Sequence, residues 1–307
     1  MGLGKVSFFS VLTIYFMLLV LGLMSNSLFL MWVVMEFMLV SVLLLMFNTS
    51  ADMSSLFSYF LVQAISSLMM VLGLWCGQGC LALSGVVIKL GLFPALSWVI
   101  NVVMGLDSLV VMWMILTTQK IMPLYLMNIY SPIMSDVEGL LTILSGVTSF
   151  VGAILMNFSG GFKWLIISSS LMHTSWVVML CNISSNFYLV YFMSYVMFMG
   201  LIFMGCGISS VGDRVPVLVY MSSIPPLVGF VYKIYMLGHI YIEVWPLVLI
   251  MLVSGVLSVV GYMSGVLKAP LYSLYNPFES LYTAWFSYTL VSALFLLGGG
   301  FIFYTLT

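Results

Sequence analysis

Charged side chains are nearly absent from this sequence, and their scarcity limits what the chain can fold into. Its 307 residues include only seven Lys or Arg and eight Asp or Glu, whereas 64% of the residues are hydrophobic. So few charges cannot cover a water-facing surface, which excludes a soluble globular domain. Disorder requires high charge and low hydrophobicity, and seven scattered bases cannot bind a nucleic acid. The sequence therefore predicts a polytopic membrane protein.

Apolar runs separated by turn-like residues predict an all-α fold with about eleven transmembrane helices in a single domain, residues 1–307. A helix needs about 20 residues to cross a hydrocarbon core of about 30 Å. The predicted spans cover residues 6–24, 28–47, 55–75, 80–105, 107–129, 138–157, 162–181, 186–206, 215–238, 243–267 and 283–306. This arrangement leaves no room for a water-phase domain of useful size.

The charges that lie in loops or at the ends of the predicted spans indicate an orientation. All the bases fall on the side that holds the N-terminus, where they are Lys5, Lys163, Arg214 and Lys268. The opposite side receives only acidic residues, which are Asp136, Glu138 and Glu243. By the positive-inside rule the N-terminus faces the compartment of synthesis. An odd number of spans then places the two termini on opposite sides.

The sequence shows no pattern that predicts a bound cofactor or metal. Cys76 and Cys80 lie four residues apart at a glycine-rich turn, but no His or second Cys pair is near them, which favours free thiols. Neither a dinucleotide fingerprint nor a phosphate loop is present. We therefore expect no cofactor-binding or metal-binding residues in this chain.

Four ionisable residues lie inside apolar runs and cannot be assigned to loops: Glu36, Lys89, Lys120 and Lys233. Each charge at the bilayer centre costs about 2.5–3.5 kcal/mol on insertion scales, so an energetic or functional reason for them is needed. Snorkelling to the interface is one explanation and fits Lys233 best, because it is near the end of its span. A structural ion pair between Glu36 and a Lys is a second. The third is a polar track for protons or ions.

Proton transfer is a function that these residue types can perform. Burial disfavours the charged forms of amines and carboxyls, so both can titrate near neutral pH. Two unit charges about 10 Å apart, at an effective dielectric constant of about 20, interact by roughly 1.7 kcal/mol. Moving one proton can therefore change the protonation of its neighbour. His173, which lies mid-span among hydroxyls, is either a further proton relay or a hydrogen-bonded structural residue.

Two of the predicted spans contain helix breaks. Pro94 follows Lys89 by five residues, and Pro225 and Pro226 precede Lys233. Proline removes a helical hydrogen bond, and irregular backbone inside a membrane is tolerated where it lines a cavity or is covered by protein. The sequence therefore predicts two broken helices, near Pro94 and near Pro225/Pro226, each beside a buried lysine.

Five segments, in order, resemble the chain 2 family of NADH–ubiquinone oxidoreductase, an antiporter-like membrane subunit of mitochondrial respiratory complex I. They are Tyr59–Ser67, Lys89–Pro94 with Trp98, Thr117–Pro123, Ser168–Trp176 and Pro225–Phe230. The resemblance implies proton translocation from matrix to intermembrane space, with the N-terminus in the matrix and the C-terminus in the intermembrane space. It also implies roles for the buried residues: Glu36 and Lys89 as the input pair, Lys120 as the central relay and Lys233 as the distal lysine.

The resemblance further implies that other membrane-arm and accessory subunits and bound lipids are the partners, in the mitochondrial inner membrane. Flavin, iron–sulfur clusters and quinone would belong to those partner subunits. The sequence departs from the family pattern at three places: Pro94–Trp98 contains no His, and Thr118 and Tyr232 replace a common Trp and Pro. None of these changes removes one of the titratable residues named above.

Two other functions are compatible with the residues themselves. A stand-alone cation/proton antiporter would use the same buried Glu and Lys residues and the same broken helices. A purely structural spacer would carry them without using them, and would tolerate the loss of Glu36 and Lys89.

Overall fold

The computed structural model describes residues 8–49, 51–158, 161–183, 187–207 and 245–273, together with five positions between 230 and 238. Throughout these ranges the regular elements are helices, and no strand occurs among them, which confirms the predicted all-α fold. The predicted break at Pro225/Pro226 and the predicted last span, 283–306, lie outside the described residues.

The helices agree closely with several of the predicted spans. They are α1 (Phe8–Met24), α2 (Leu28–Asn48), α3 (Met53–Trp75), α4 (Gly79–Leu90), α5 (Ser97–Met104), α6 (Leu109–Leu116), α7 (Ile121–Ile129), α8 (Ser131–Met134), α9 (Glu138–Asn157), α10 (Phe162–Ile183), α11 (Phe187–Gly207) and α12 (Trp245–Ser273). Six of the described helical segments are long and apolar enough to cross a membrane, and three shorter apolar helices accompany them. The chain is therefore a multi-pass membrane protein.

The helices group into two compact units, residues 1–148 and residues 149–307, with the division falling inside α9. We describe each unit by itself. The single domain over residues 1–307 stays a prediction.

In the first unit, α3 packs against both α2 and α4. The contact between α3 and α4 is close, because a Cβ placed on Gly85 would lie 2.5 Å from the backbone nitrogen of Met70. One built on Gly73 would lie 2.2 Å from the nitrogen of Ala82. Small residues at such crossings let membrane helices approach closely. This packing places α3 beside both the helix that carries Glu36 and the helix that carries Lys89.

The break predicted near Pro94 is confirmed. Helix α4 ends at Leu90, and Gly91 follows in the left-handed conformation with φ 71°. The amide of Leu92 donates to the carbonyl of Val87 at 2.9 Å, and the indole of Trp98 donates to the carbonyl of Ile88 at 2.8 Å. These bonds add partners to carbonyls in the last turn of α4, where a helix has fewer amide donors of its own.

The predicted span 107–129 is confirmed as one apolar membrane-spanning segment, Leu109–Ile129, but a 3₁₀ turn that the sequence reasoning did not predict interrupts its helix. Helix α6 ends at Leu116, a 3₁₀ turn spans Thr118–Lys120, and α7 begins at Ile121. Pro123 explains the break, because it has no amide hydrogen and its ring clashes with the carbonyl four residues earlier. It lies in the first turn of α7, where proline is tolerated. Lys120 is consequently at a helix break, as Lys89 is at the end of α4.

In the second unit, α10 is almost wholly buried and packs against α11 and α12. Buried hydroxyls of α10 donate to carbonyls one turn earlier, as Ser168 does to Trp164 at 2.8 Å and Thr174 to Ser170 at 2.5 Å. Such local bonds satisfy polar side chains inside an apolar helix. Polar residues can therefore occupy the centre of this unit.

Candidate functional site

Glu36 and Lys89 come together around α3. Lys89 is 7% exposed, in the last turn of α4, whereas Glu36 on α2 is only partly buried. The hydroxyl of Ser67, on α3, donates a hydrogen bond to the Glu36 carboxylate. Glu36 and Lys89 also interact electrostatically. The structure thus brings the predicted input pair together.

Helix α3 has a buried polar face that the sequence reasoning did not assign to the site. The residues on it are Tyr59, Gln63, Ser66 and Ser67, at spacings of four, seven and eight residues from the first. These spacings place them on one side of the helix. The face runs from Ser67, which binds Glu36, to Tyr59, two turns away. Polar residues at helical spacing within the apolar run were the signal that could have identified it.

Lys120 lies in a turn lined by hydroxyls. The lysine is 4% exposed at the end of the 3₁₀ turn. The hydroxyl of Thr118 donates to the carbonyl of Met114 at 3.2 Å and is 2.8 Å from the phenolic oxygen of Tyr15. Either hydroxyl can donate in the second bond, because each carries one rotatable proton. The Thr117 hydroxyl donates to the carbonyl of Trp113 at 2.6 Å.

Tyr15, on α1, is a site residue that sequence reasoning missed. It is fully buried, and its partner Thr118 is 103 residues away in sequence. The available signal was a tyrosine inside an otherwise apolar span, since a buried phenol requires a hydrogen-bond partner. The sequence did not indicate which helix would supply that partner.

His173 is enclosed by tyrosines from two helices of the second unit. Its Nδ1 is 2.6 Å from the hydroxyl of Tyr191 on α11, and its Nε2 is 3.1 Å from the hydroxyl of Tyr262 on α12. The ring also stacks on Tyr195, with the centroids 5.0 Å apart. Both ring nitrogens have hydroxyl partners, so the neutral imidazole accepts one hydrogen bond and donates another. This geometry fits a relay and also fits a structural histidine.

Lys233 is buried in the second unit, at 6% exposure. Its ammonium nitrogen is 5.4 Å from the ring centroid of Trp176, a cation–π distance. Trp176 follows His173 by three residues, on the same side of α10. The contact with Trp176 places this lysine near the histidine, and the snorkelling explanation stays a prediction.

All five predicted site residues are thus placed among polar or aromatic groups in an otherwise apolar bundle. Glu36, Lys89 and Lys120 lie in the first unit, and His173 and Lys233 in the second. Amines, carboxyls and imidazoles can each bind and release a proton. Hydroxyls, which both donate and accept, can connect them. The chemistry best suited to these groups is proton movement.

Comparison with known proteins identifies relatives of one kind, although no family model matches the chain. NADH-ubiquinone oxidoreductase chain 2 of Mytilus edulis is 29% identical over 192 residues, which cover 57% of this chain and 59% of that protein. The chain thus spans about three fifths of the length of this relative. The chain 2 protein of Albinaria caerulea is 26% identical over 264 residues, covering 80% of this chain and 83% of that protein. The chain 2 protein of Caenorhabditis elegans is 28% identical over 239 residues, covering 76% of this chain and 79% of that protein.

Solved structures share the fold. A chain of respiratory complex I from Thermus thermophilus matches with a TM-score of 0.78 at 19% identity, covering 95% of this chain and 78% of that one. A chain of the Mrp complex from Dietzia sp. matches with a TM-score of 0.73 at 13% identity, covering 82% of this chain and 58% of that one. The predicted antiporter-like bundle is therefore confirmed. Together with the sequence relatives, this fold confirms that the chain is similar to NADH-ubiquinone oxidoreductase chain 2.

Proposed function

We propose that the chain is a membrane-arm subunit of a proton-pumping NADH:ubiquinone oxidoreductase, and that it translocates protons from the matrix to the intermembrane space. The observation that carries this proposal is the placement of two buried lysines, Lys89 and Lys120, at two helix breaks of one unit. Broken helices inside membranes are typical of ion pathways. The sequence relatives support the choice of complex.

In this function Glu36 and Lys89 form the input pair, Lys120 is the central relay, and His173 and Lys233 continue the path. Two unit charges about 10 Å apart at an effective dielectric constant of about 20 interact by roughly 1.7 kcal/mol. This interaction exceeds one pKa unit, about 1.4 kcal/mol. A proton that arrives at one group therefore favours proton release at the next.

Moving one proton against about 100 mV requires about 2.3 kcal/mol. In the proposed function this energy comes from outside the chain. We propose that quinone reduction in partner subunits supplies it, and that flavin, iron–sulfur clusters and quinone bind to those subunits. The proposed location is the mitochondrial inner membrane, with the N-terminus in the matrix and the C-terminus in the intermembrane space. Other membrane-arm and accessory subunits and lipids would then cover the apolar outer faces of the helices.

Replacing Lys120 with Met tests the proposal. In the assembled complex this change removes the central titratable group, so NADH oxidation should be slow or uncoupled and fewer protons should move per electron. Lys163→Met is the control, because Lys163 lies in the first turn of α10 and outside the proposed path. It should leave the proton-to-electron ratio unchanged. An unchanged ratio in Lys120→Met, with normal assembly, contradicts the proposal.

A stand-alone cation/proton antiporter is a second candidate, favoured by the fold shared with a chain of the Mrp complex. Purification from the native membrane distinguishes the two functions. Co-migration with a large NADH-oxidising complex supports the subunit. Cation-dependent proton transport by the chain alone in liposomes supports the antiporter instead.

A further inference from the structure

Two buried phenols lie between the two lysine sites of the first unit. Tyr59 on α3 and Tyr15 on α1 are each 0% exposed. The ring of Tyr59 is 6.4 Å from that of Trp98, centroid to centroid, and the indole of Trp98 binds the carbonyl of the residue just before Lys89. Tyr15 binds Thr118, two residues before Lys120. One phenol therefore belongs to each lysine site.

The two phenols are within electrostatic range of one another, and their helices, α1 and α3, both pack against α2. The hydroxyl of Tyr59 has no hydrogen-bond partner within the part of the chain that the structure describes. Leaving a buried hydroxyl unpaired is unfavourable, and proteins normally satisfy such groups with internal water. The hydroxyl of Tyr59 is therefore a group that internal water can satisfy.

Two more buried donors lie at the ends of the same route. The side-chain amide nitrogen of Gln119, next to Lys120, has no partner among the described residues. The indole nitrogen of Trp32, one turn before Glu36 on α2, likewise lacks one there. Both are groups that water can satisfy. Unsatisfied donors thus occur beside both titratable sites as well as at the phenol between them.

We propose that Tyr59 and Tyr15, joined by internal water, form a hydroxyl bridge that carries protons between the Glu36–Lys89 pair and Lys120. The proposal rests on the proposed function and assigns it two further relay residues. Either hydroxyl can donate in the bond between Tyr15 and Thr118, so Tyr15 can accept a proton from water on the Tyr59 side and pass its own proton to Thr118, which releases its proton towards Lys120. At each hydroxyl one proton is accepted and the original proton is released onward. One proton moves and the phenol stays neutral.

Replacing each tyrosine with Phe in the assembled complex tests the bridge. Tyr59→Phe removes a hydroxyl that binds no described protein group, so assembly should be unaffected. Loss of a positioned proton carrier typically slows proton transfer by about 10²-fold or more, and we expect proton pumping in Tyr59→Phe to slow on that scale. Tyr15→Phe should slow it similarly. Lys120→Met is measured alongside both variants.

Tyr125→Phe is a matched control for Tyr15→Phe. The hydroxyl of Tyr125, on α7, donates to the carbonyl of Leu23 on α1 at 3.0 Å. It ties α1 to the segment around Lys120 as Tyr15 does, but its acceptor is a backbone carbonyl at the end of α1. Tyr125→Phe should therefore weaken the packing to a similar degree and leave protons per electron unchanged.

The outcomes separate the bridge from the proposed function. Impaired pumping in Tyr59→Phe and Tyr15→Phe, with normal pumping in Tyr125→Phe, supports the bridge. Full pumping in Tyr59→Phe beside impaired Lys120→Met overturns the bridge and leaves the function standing. Equal losses in Tyr15→Phe and Tyr125→Phe make Tyr15 a structural tie and also overturn the bridge. Full pumping in Lys120→Met overturns the proposed function itself.

Discussion

The two helix breaks of the first unit provide hydrogen-bond partners for their backbone carbonyls in different ways. At the α4–α5 break, the helix that carries Lys89 ends at a left-handed glycine, and the indole of Trp98 donates to the carbonyl of Ile88, which the amide of Gly91 also binds. At the α6–α7 break, which contains Lys120, no glycine is present. There a short 3₁₀ turn interrupts the helix. The hydroxyls of the two threonines donate to the carbonyls of Trp113 and Met114. Each break keeps its carbonyls paired while a lysine stays buried.

The two breaks also differ in the groups that surround the amines of Lys89 and Lys120. Lys89 has a carboxylate in electrostatic range, that of Glu36. The groups around the turn of Lys120 include the hydroxyls of Thr117, Thr118 and Tyr15. A charged neighbour stabilises a protonated amine, whereas hydroxyls can serve either form because they donate and accept. The first arrangement suits proton uptake, and the second suits proton passage in either direction.

The largest expected effect is at the glycine of the first break. Gly91→Ala forces a side chain into the left-handed region, at about 1–2 kcal/mol, and its Cβ would lie 2.3 Å from Cγ2 of Val99. Overpacking adds about 1–3 kcal/mol. The variant should lower the thermal stability and the yield of the assembled complex. Gly77→Ala is the control, because Gly77 has φ 67° but open space around its Cβ position. Equal stability losses in both variants would show that the contact with Val99 does not matter.

The second break depends on Pro123, and Pro123→Ala tests that dependence. Alanine restores the missing amide hydrogen, and it favours a continuous helix by about 3 kcal/mol over proline. We expect α6 and α7 to join and the bond between Tyr15 and Thr118 to be lost, so that pumping falls although stability does not. A structure of the variant would check this. A break that persists there would mean that the hydroxyl bonds of Thr117 and Thr118 hold it open.

The smallest effect is expected for the indole that closes the first break. Trp98→Phe keeps an aromatic ring against Tyr59 but removes the donor to the Ile88 carbonyl, which the amide of Gly91 also binds. The loss should be about 1 kcal/mol, measured as a lower midpoint of thermal unfolding. Trp75→Phe is the control, since Trp75 is exposed and should change nothing. A large loss in Trp98→Phe would mean that the break depends on this one bond.

Sequence predicted the features that depend on local chemistry. The scarcity of charge predicted the helical membrane fold, and the unassigned ionisable residues marked the site before any contact was known. The prediction of a break near Pro94 followed from a proline five residues after a buried lysine. The break before Pro123 was missed because the apolar run continues through it, and helical periodicity alone does not show where a proline acts on the turn before it.

Contacts between distant residues could not be predicted in the same way. Tyr15 and Thr118 are 103 residues apart, and His173 and Tyr262 are 89 apart. Which tyrosine reaches which partner depends on how whole helices pack, and a local pattern does not contain that information. The pairing of Glu36 with Lys89 was available only from the family resemblance.

Lys120→Arg tests the central claim most directly. Arginine keeps the positive charge at the second break but cannot release a proton in a protein, so it separates a fixed charge from a titrating relay. The measurement is the number of protons translocated per electron in assembled complex, compared with Lys120→Met. If Lys120 relays protons, both variants should show the same reduced ratio. A normal ratio in Lys120→Arg would show that only the charge is needed and would contradict the account.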